Sequence, residues 1–236
     1  MTATTAEARA PMSRERVLRA AVEFADRSGI DALSMRKLAR ELGVEAMTLY
    51  YYVANKNDLL EGMTDLVASE IELPPADLDW QEATRRRAMS AHEVLARHHW
   101  ASPIWMRVMI GPARMRYMDA ALGAYRRAGL SPATTELAFH TIENHIVGYT
   151  LQESNFPLAP ADLATVAREF LGKLPRDEFP HLAEHIEQHL THEAVIESGD
   201  FEFGLELLLD GIERIRLESA EPGTSGYPDA RRSAGR

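Results

Sequence analysis

The chain has 236 residues with 26 Lys+Arg, 36 Asp+Glu and no cysteine, and 45% of it is apolar. That length holds one large domain, or a small domain and a larger one, and the missing cysteines exclude disulfides and thiolate metal sites. The net charge of −10 excludes a uniformly basic nucleic-acid binder, but the charge is uneven: residues 1–60 carry nine Lys/Arg against eight Asp/Glu, and the remainder carries 17 against 28. A near-neutral start on an acidic remainder fits a protein that presents only its head to DNA. The N-terminus lacks the apolar core of a signal peptide, and no run approaches bilayer-spanning length, so a cytoplasmic protein without a membrane partner is expected.

Residues 1–12 read as a flexible arm. Ser13 is placed to cap a helix to about Ser28, with Val17, Ala21 and Phe24 inward and Gly29 as its stop. From Ser34 to Leu60 the pattern is a helix-turn-helix followed by the start of the helix that carries it. Met35, Leu38, Ala39 and Leu42 lie at i, i+3, i+4 and i+7, one apolar helix face, with Ser34 as cap and Gly43 as terminator. A short helix then begins near Ala46, with Leu49 and Val53 pointing one way and Thr48, Tyr50, Tyr51 and Tyr52 left for the other sides. Hydroxyls on such a helix suit the major groove, where Thr meets a thymine methyl and Tyr bonds a phosphate. Asn55 caps the next helix with Asp58 three residues on, which sets Lys56 beside free backbone N–H groups as a phosphate clamp.

That helix is expected to run to about Glu72, with Leu59, Met63, Leu66 and Val67 as its stripe. Helices follow from Trp80 to about His99, briefly around Pro103–Ile110, and from Pro112 to Ala128 with Met115, Met118, Leu122 and Tyr125 on one face. Ser131-Pro132 opens a long helix to about Ser154. Residues 157–177 are expected to be irregular, with one turn of helix near Leu163–Leu171, before a polar helix over Glu178–Leu190. The last helix spans about Gly199–Leu217, and the tail beyond it is expected to be disordered. Phe201, Leu205, Leu208, Ile212 and Ile215 form its stripe, and Phe203, Leu207 and Leu209 add apolar surface beyond it. The helix at 132–154 is similarly broad: Phe139, Ile142, Ile146 and Tyr149 on one side, Leu137, Thr141 and Val147 elsewhere. Helices apolar over more than half their circumference need more than one partner, so a homodimer through a four-helix bundle of these two is expected.

Trp100, Trp105, Met109, Met115, Met118, His140, Glu143 and Asn144 are the candidate lining of an effector pocket, although at least half of them are expected to be ordinary core. Methionines and aromatics with a few polar anchors suit a lipophilic, partly polar small molecule. Arg85-Arg86-Arg87 reads as a solvated helix face. His181, His185, His189 and His192 fall close to one helix face, where a solvated helix outweighs a metal site, so no metal or other cofactor is expected. The alternative function is a helical metal-binding sensor or a di-iron-type metalloenzyme. Its Glu-x-x-His spacing occurs only at Glu178–His181, with Pro180 inside, and no nucleophile elbow, Walker A loop or dinucleotide glycine pattern is present; the chain is not expected to be an enzyme.

The stretch IDALSMRKLARELGVEAMTLYYYVANKNDLL resembles the DNA-binding head of the TetR family of bacterial transcriptional repressors, and the closing FEFGLELLLDGIERI resembles the end of the tetracycline repressor subclass. The resemblance implies an all-α homodimer: a three-helix head (13–58), an effector-binding and dimerisation body (59–219), and flexible tails at 1–12 and 220–236. It implies repression through double-stranded operator DNA, with release by a small effector that swings the heads apart. DNA contacts would fall on Arg36, Lys37, Met47, Thr48, Tyr50, Tyr51, Tyr52 and Lys56. Gln and Pro of the tetracycline repressor's recognition helix are Ala46 and Met47 here, so a different operator is implied. Its drug-holding His, Asn, Phe, His and Glu positions read Glu72, Arg87, Ala91, Arg107 and Gln152, which implies an effector other than tetracycline.

Overall fold

The computed structural model describes residues 11–105, 111–155, 160–191 and 198–220. The described residues form ten α-helices and two 3₁₀ turns with no strand. The expected tails lie outside the described residues except for 11–12 and 220.

The head is built by caps. Helix α1 (Arg14–Ser28) starts where Ser13 Oγ accepts from the Arg16 N–H, and it buries Val17, Leu18, Ala21, Val22 and Ala25. A 3₁₀ turn, Ile30–Ala32, leads to α2 (Met35–Leu42), where Ser34 Oγ accepts from Lys37 N. Gly43 ends α2 at φ +69°, a left-handed conformation that costs glycine nothing and a residue with a Cβ about 1–2 kcal/mol. Helix α3 (Ala46–Leu49) is a single turn, extended by i→i−3 bonds from the Tyr50, Tyr51 and Tyr52 N–H groups. Leu49 and Val53 anchor it in the core. Helix α4 (Lys56–Ala68) begins with a reciprocal cap: Asn55 Oδ1 accepts from Asp58 N, and Asp58 Oδ2 accepts from Ala54 N at 2.7 Å. Arg14 of α1 bonds both oxygens of that carboxylate and also donates to the Tyr52 carbonyl. One aspartate thus fixes α1, the end of the α3 turn and the start of α4.

The body comprises α5 (Trp80–Arg97), α6 (Pro112–Arg127), α7 (Pro132–Ser154), α8 (Pro160–Lys173), α9 (Pro180–Thr191) and α10 (Ser198–Ala220), with a 3₁₀ turn at Ser102–Ile104 after α5. Helix α7 packs against α5, α6 and α10, while α8 and α9 pack chiefly on each other. Helix α4 packs on α1 in the head and on α5 and α6 in the body, so one buried core runs through both. The expected boundary after residue 58 falls inside α4.

Polar contacts from three carboxylates, Asp65, Asp26 and Glu70, join head to body. Asp65 of α4 accepts from the Arg114 N–H, in the first turn of α6, at 3.0 Å. A Cβ on Gly111 would come within 2.3 Å of the Asp65 carboxylate carbon, so only glycine lets it reach that helix end. Beside it, Asp26 of α1 accepts from Trp100 Nε1 (2.6 Å) and bonds His98 Nδ1 (2.9 Å), while Glu70 bonds Arg97 and the other His98 nitrogen.

Four expectations are corrected here. Residues 160–173 are a fourteen-residue helix rather than irregular chain, with Pro160 at its start, Asp162 in its first turn and Lys173 in its last. Helix α6 buries Ala113, Arg114, Tyr117, Ala121, Ala124 and Tyr125, a face rotated from the methionine stripe, and Met115 is half exposed. The small alanines let α6 approach its neighbours closely, which the methionines would not. Arg87 is buried, not solvated, while Arg85 and Arg86 pair at the surface with Glu82, and Arg85 also with Glu206. On α10 the buried stripe is Phe201, Leu205, Leu209 and Ile212; Leu208 is only partly buried and Ile215 is exposed.

The Arg14 hydrogen bond, helped by the Ala54 N–H, holds the Asp58 carboxyl below the usual carboxylate range against the opposing effect of burial. Its stabilisation is therefore present above the unfolded value and is lost as pH falls through the lowered folded value. Asp58→Asn keeps an acceptor for the Ala54 N–H but removes the charge opposite Arg14 and at the start of α4; because the ion pair is partly exposed, it should cost about 1 kcal/mol at neutral pH. Urea unfolding should show that difference shrinking toward roughly pH 3. An Asn variant as stable as the parent at neutral pH contradicts this role.

Candidate nucleic-acid interface and effector site

Arg36 and Lys37 sit in the first turn of α2, and both are exposed. Arg40, one turn beyond Arg36 on the same side, is exposed as well; sequence reasoning passed over it. On α3, Met47 is 72% exposed and Tyr51, just beyond it, 86%, with Tyr50 at 45%. Thr48 is half-buried. Tyr52 differs from its neighbours: its ring packs against the head core and its carbonyl accepts from Arg14. Lys56 is exposed at the first residue of α4, beside the Asn55 cap.

Four of the head's seven acids have partners elsewhere, Glu15 with Arg19, Asp26 with His98, Glu41 with Arg27 and Asp58 with Arg14, while Glu45 is exposed at the start of α3. Arg36, Lys37, Arg40 and Lys56 are exposed cations on the elements that flank α3. A one-turn helix showing a methionine and two tyrosines between such cations is an unusual surface for a single soluble chain. It matches what a duplex asks for: positive charge for phosphates, and small polar and apolar tips for base edges.

The second feature lies inside the body. Arg87 on α5 donates through Nη1 to the Tyr117 hydroxyl and to Glu143 Oε1 at 2.8 Å, and the Tyr117 hydroxyl donates to the same oxygen at 2.6 Å. The Arg87 guanidinium also lies over the Tyr117 ring, 4.8 Å from its centre, and Arg114 lies over Trp105 at 4.6 Å. Burial works to lower the Arg87 pKa, but the Tyr117 and Glu143 oxygens outweigh it and hold the group above its ordinary value. At Arg114 burial wins and the pKa is lowered. Burial likewise pushes the Tyr117 and Tyr125 phenols up, so both are neutral donors at neutral pH. Five buried polar atoms have no hydrogen-bond partner among the described residues: Arg87 Nη2, Arg114 Nη1, Tyr125 Oη, Thr135 Oγ1 and Ser102 Oγ. The Tyr125 hydroxyl lies near Thr84 and Arg87 without forming a well-aligned bond to either. Such orphans each cost about 1–3 kcal/mol, and three of them, on Arg87, Arg114 and Tyr125, gather at one ion pair, which calls for a functional reason.

Of the residues singled out for an effector, Trp105 and Glu143 belong to this cluster. Trp100 instead joins the body to Asp26 of the head. Met118 packs on the core, while Met115, His140 and Asn144 face outward, and Met109 lies outside the described residues. The sequence reading missed Arg114, Tyr117 and Tyr125. An arginine and two tyrosines at 114, 117 and 125, close to one helix stripe, were the available signal. Glu178, His181 and His185 are exposed, whereas His192 and the side chain of His189 lie outside the described residues. Among the described residues, no three His, Asp or Glu side chains are grouped to hold a metal ion, and no helix is long and apolar enough to cross a membrane.

Residues 17–63 match the sequence profile of bacterial regulatory proteins of the tetR family, and residues 73–216 match that of the tetracyclin repressor-like C-terminal domain. The chain is 32% identical to the HTH-type transcriptional repressor DrrR1 of Streptomyces coeruleorubidus, over 86% of this chain and 77% of that protein. It is 28% identical to the class D tetracycline repressor protein of Escherichia coli, over 86% of this chain and 90% of that one. The crystal structure of the Streptomyces coelicolor TetR family protein ActR in complex with actinorhodin superposes with a TM-score of 0.74 at 28% identity, covering 87% of this chain and 98% of that one. With both its head and its body matched, the chain belongs to the TetR family of DNA-binding transcriptional regulators.

Proposed function

We propose that this regulator represses transcription as a homodimer on operator DNA and is released by a small effector, other than tetracycline, held in the body. The observation that carries the reading is α3: a single turn anchored by Leu49 and Val53 that offers Met47, Thr48, Tyr50 and Tyr51 between exposed cations. Met47, Thr48, Tyr50 and Tyr51 meet the duplex in the major groove. Arg36, Lys37, Arg40 and Lys56 take its phosphates, and Tyr52 supports the turn from behind while its hydroxyl edge stays within reach of the backbone. Sequence similarity to a transcriptional repressor supports repression, and ActR with actinorhodin bound supports an effector in the body. The class of effector differs from tetracycline because a buried guanidinium, Arg87, and not an amide, is the polar anchor.

Pairing runs through the outer faces of α7 and α10. Leu137, Phe203, Leu207 and Leu217 are each more than half exposed, although both helices bury an opposite apolar face in the protomer. Covering such side chains contributes about 1.5–3 kcal/mol each, ample for a stable two-fold interface. A four-residue reading helix spans only a few base pairs, so two half-sites are what give the regulator useful affinity.

Two outcomes test this reading. Against a duplex from its own promoter region, Lys56→Ala should weaken binding to every sequence alike and reduce the salt slope by about one unit. Thr48→Ala should instead narrow the gap between operator and unrelated DNA by about 1–3 kcal/mol. Unchanged binding in both variants contradicts the placement of α3. Separately, Phe203→Glu combined with Leu207→Glu should sediment as a monomer and lose operator binding by at least about a hundredfold, since one head alone remains. A variant that stays dimeric contradicts the α7–α10 interface.

A further inference from the structure

The buried cluster is unbalanced in charge. Two guanidinium groups, Arg87 and Arg114, are both at most 5% exposed, and both interact with the same carboxylate, Glu143. Asp65 also attracts Arg114, but its carboxylate is committed to the first turn of α6 and is only half-buried. Among the described residues, no carboxylate besides Glu143 and Asp65 acts on either guanidinium. Stacking on Tyr117 and Trp105 offsets part of each arginine's charge, but aromatic rings give no hydrogen-bond acceptor in the plane of a guanidinium. Among the described residues, Nη2 of Arg87 and Nη1 of Arg114 are each buried without an acceptor, beside a Tyr125 hydroxyl that Thr84 and Arg87 approach without a well-aligned bond. Buried cations left this way are retained only where something else completes them.

We infer that the cluster is a receptor for an anion: the unpaired donors of Arg87 and Arg114, with the Tyr125 hydroxyl, receive a carboxylate or ionised phenol carried on an aromatic frame. The inference rests on the reading that the body holds an effector, and it names that effector's chemical class. Trp105, Tyr117 and Tyr125 supply flat walls against which such a frame stacks. Glu143 occupies one side of Arg87 through Nη1 and orients its fork, leaving the other side for the guest. Both orphan nitrogens are closed to solvent in this conformation, so taking in the guest requires α5 and α6 to part.

The test is calorimetric titration of the full-length protein with 2-naphthoate, salicylate and 1-hydroxy-2-naphthoate, each against its primary amide. At least one acid should bind about tenfold or more tightly than its amide, since the amide cannot balance the buried charge. Arg114→Gln should bring that ratio close to one, and Arg114→Lys, which keeps the charge, should retain most of it. Arg87→Gln should act as Arg114→Gln does, but it strands Glu143 without its partner; where circular dichroism shows it unfolded, the Arg114 pair decides. Amides that bind as well as the acids, no saturable binding of any acid, or a ratio unaffected by Arg114→Gln each overturn the anion site. Promoter DNA in the same titrations separates the two readings. If acids bind with the expected preference but the protein ignores its promoter, the regulatory reading fails and the anion site stands. If promoter DNA is bound and only amides release it, the anion site fails and the regulatory reading stands.

Discussion

Two aspartates seven residues apart on α4 hold this molecule together as a machine with a head and a body. Residues i and i+7 share a helix face. Asp58, at the first turn, closes the α4 cap and receives Arg14 from α1. Asp65, two turns on, accepts from the Arg114 N–H at the start of α6, where the helix dipole favours a carboxylate. One rigid rod thus carries a head contact in its first turn and a body contact in its last. Because Leu59, Met63 and Val67 sit in a core that continues through both parts, a tilt of α6 relative to α1 has no loop in which to dissipate. The Asp26–His98–Trp100 contact makes a second attachment from α1 itself.

The body accepts a cost that a purely structural bundle would avoid. An apolar replacement of the Arg87–Glu143 pair would pack a helical core as well or better, since buried ion pairs rarely repay their desolvation. The surface pairs of Arg85 with Glu206 and Arg216 with Glu213 carry no such cost and read as ordinary reinforcement of α5 and α10. Within a single charge run on α5, Arg85 and Arg86 pair at the surface while Arg87 is sealed in the core.

Much of the head is legible from residue order. Ser13, Ser34, Asn55 and Gly43 act at the positions their chemistry predicts, because capping is local and involves residues within four of each other. Ser131-Pro132 does the same for α7. The body is legible as helices but not as a site. Arg87 looks like its two neighbours until α6 and α7 are packed over it, and only then do Tyr117 and Glu143 identify it. Trp100 follows a similar rule: an indole near a methionine-rich stretch suggests a pocket wall, and residue order gives no sign of its bond to an aspartate 74 positions earlier. The α8 helix was obscured because Pro157, Pro160 and Gly172 punctuate a weakly apolar stretch, while its ordering comes from the α9 partner. Tertiary pairing, not local propensity, decides each of these.

The central claim is that two copies of this chain set their α3 turns one duplex repeat apart. The absence of native cysteine allows a direct measurement: Glu45→Cys, at the exposed residue before α3, gives one spin label per protomer. In complex with operator, dipolar spectroscopy should give a single narrow label-to-label distance consistent with recognition helices about 34–36 Å apart. No dipolar modulation, or a broad distance that operator DNA leaves unchanged, would contradict the account.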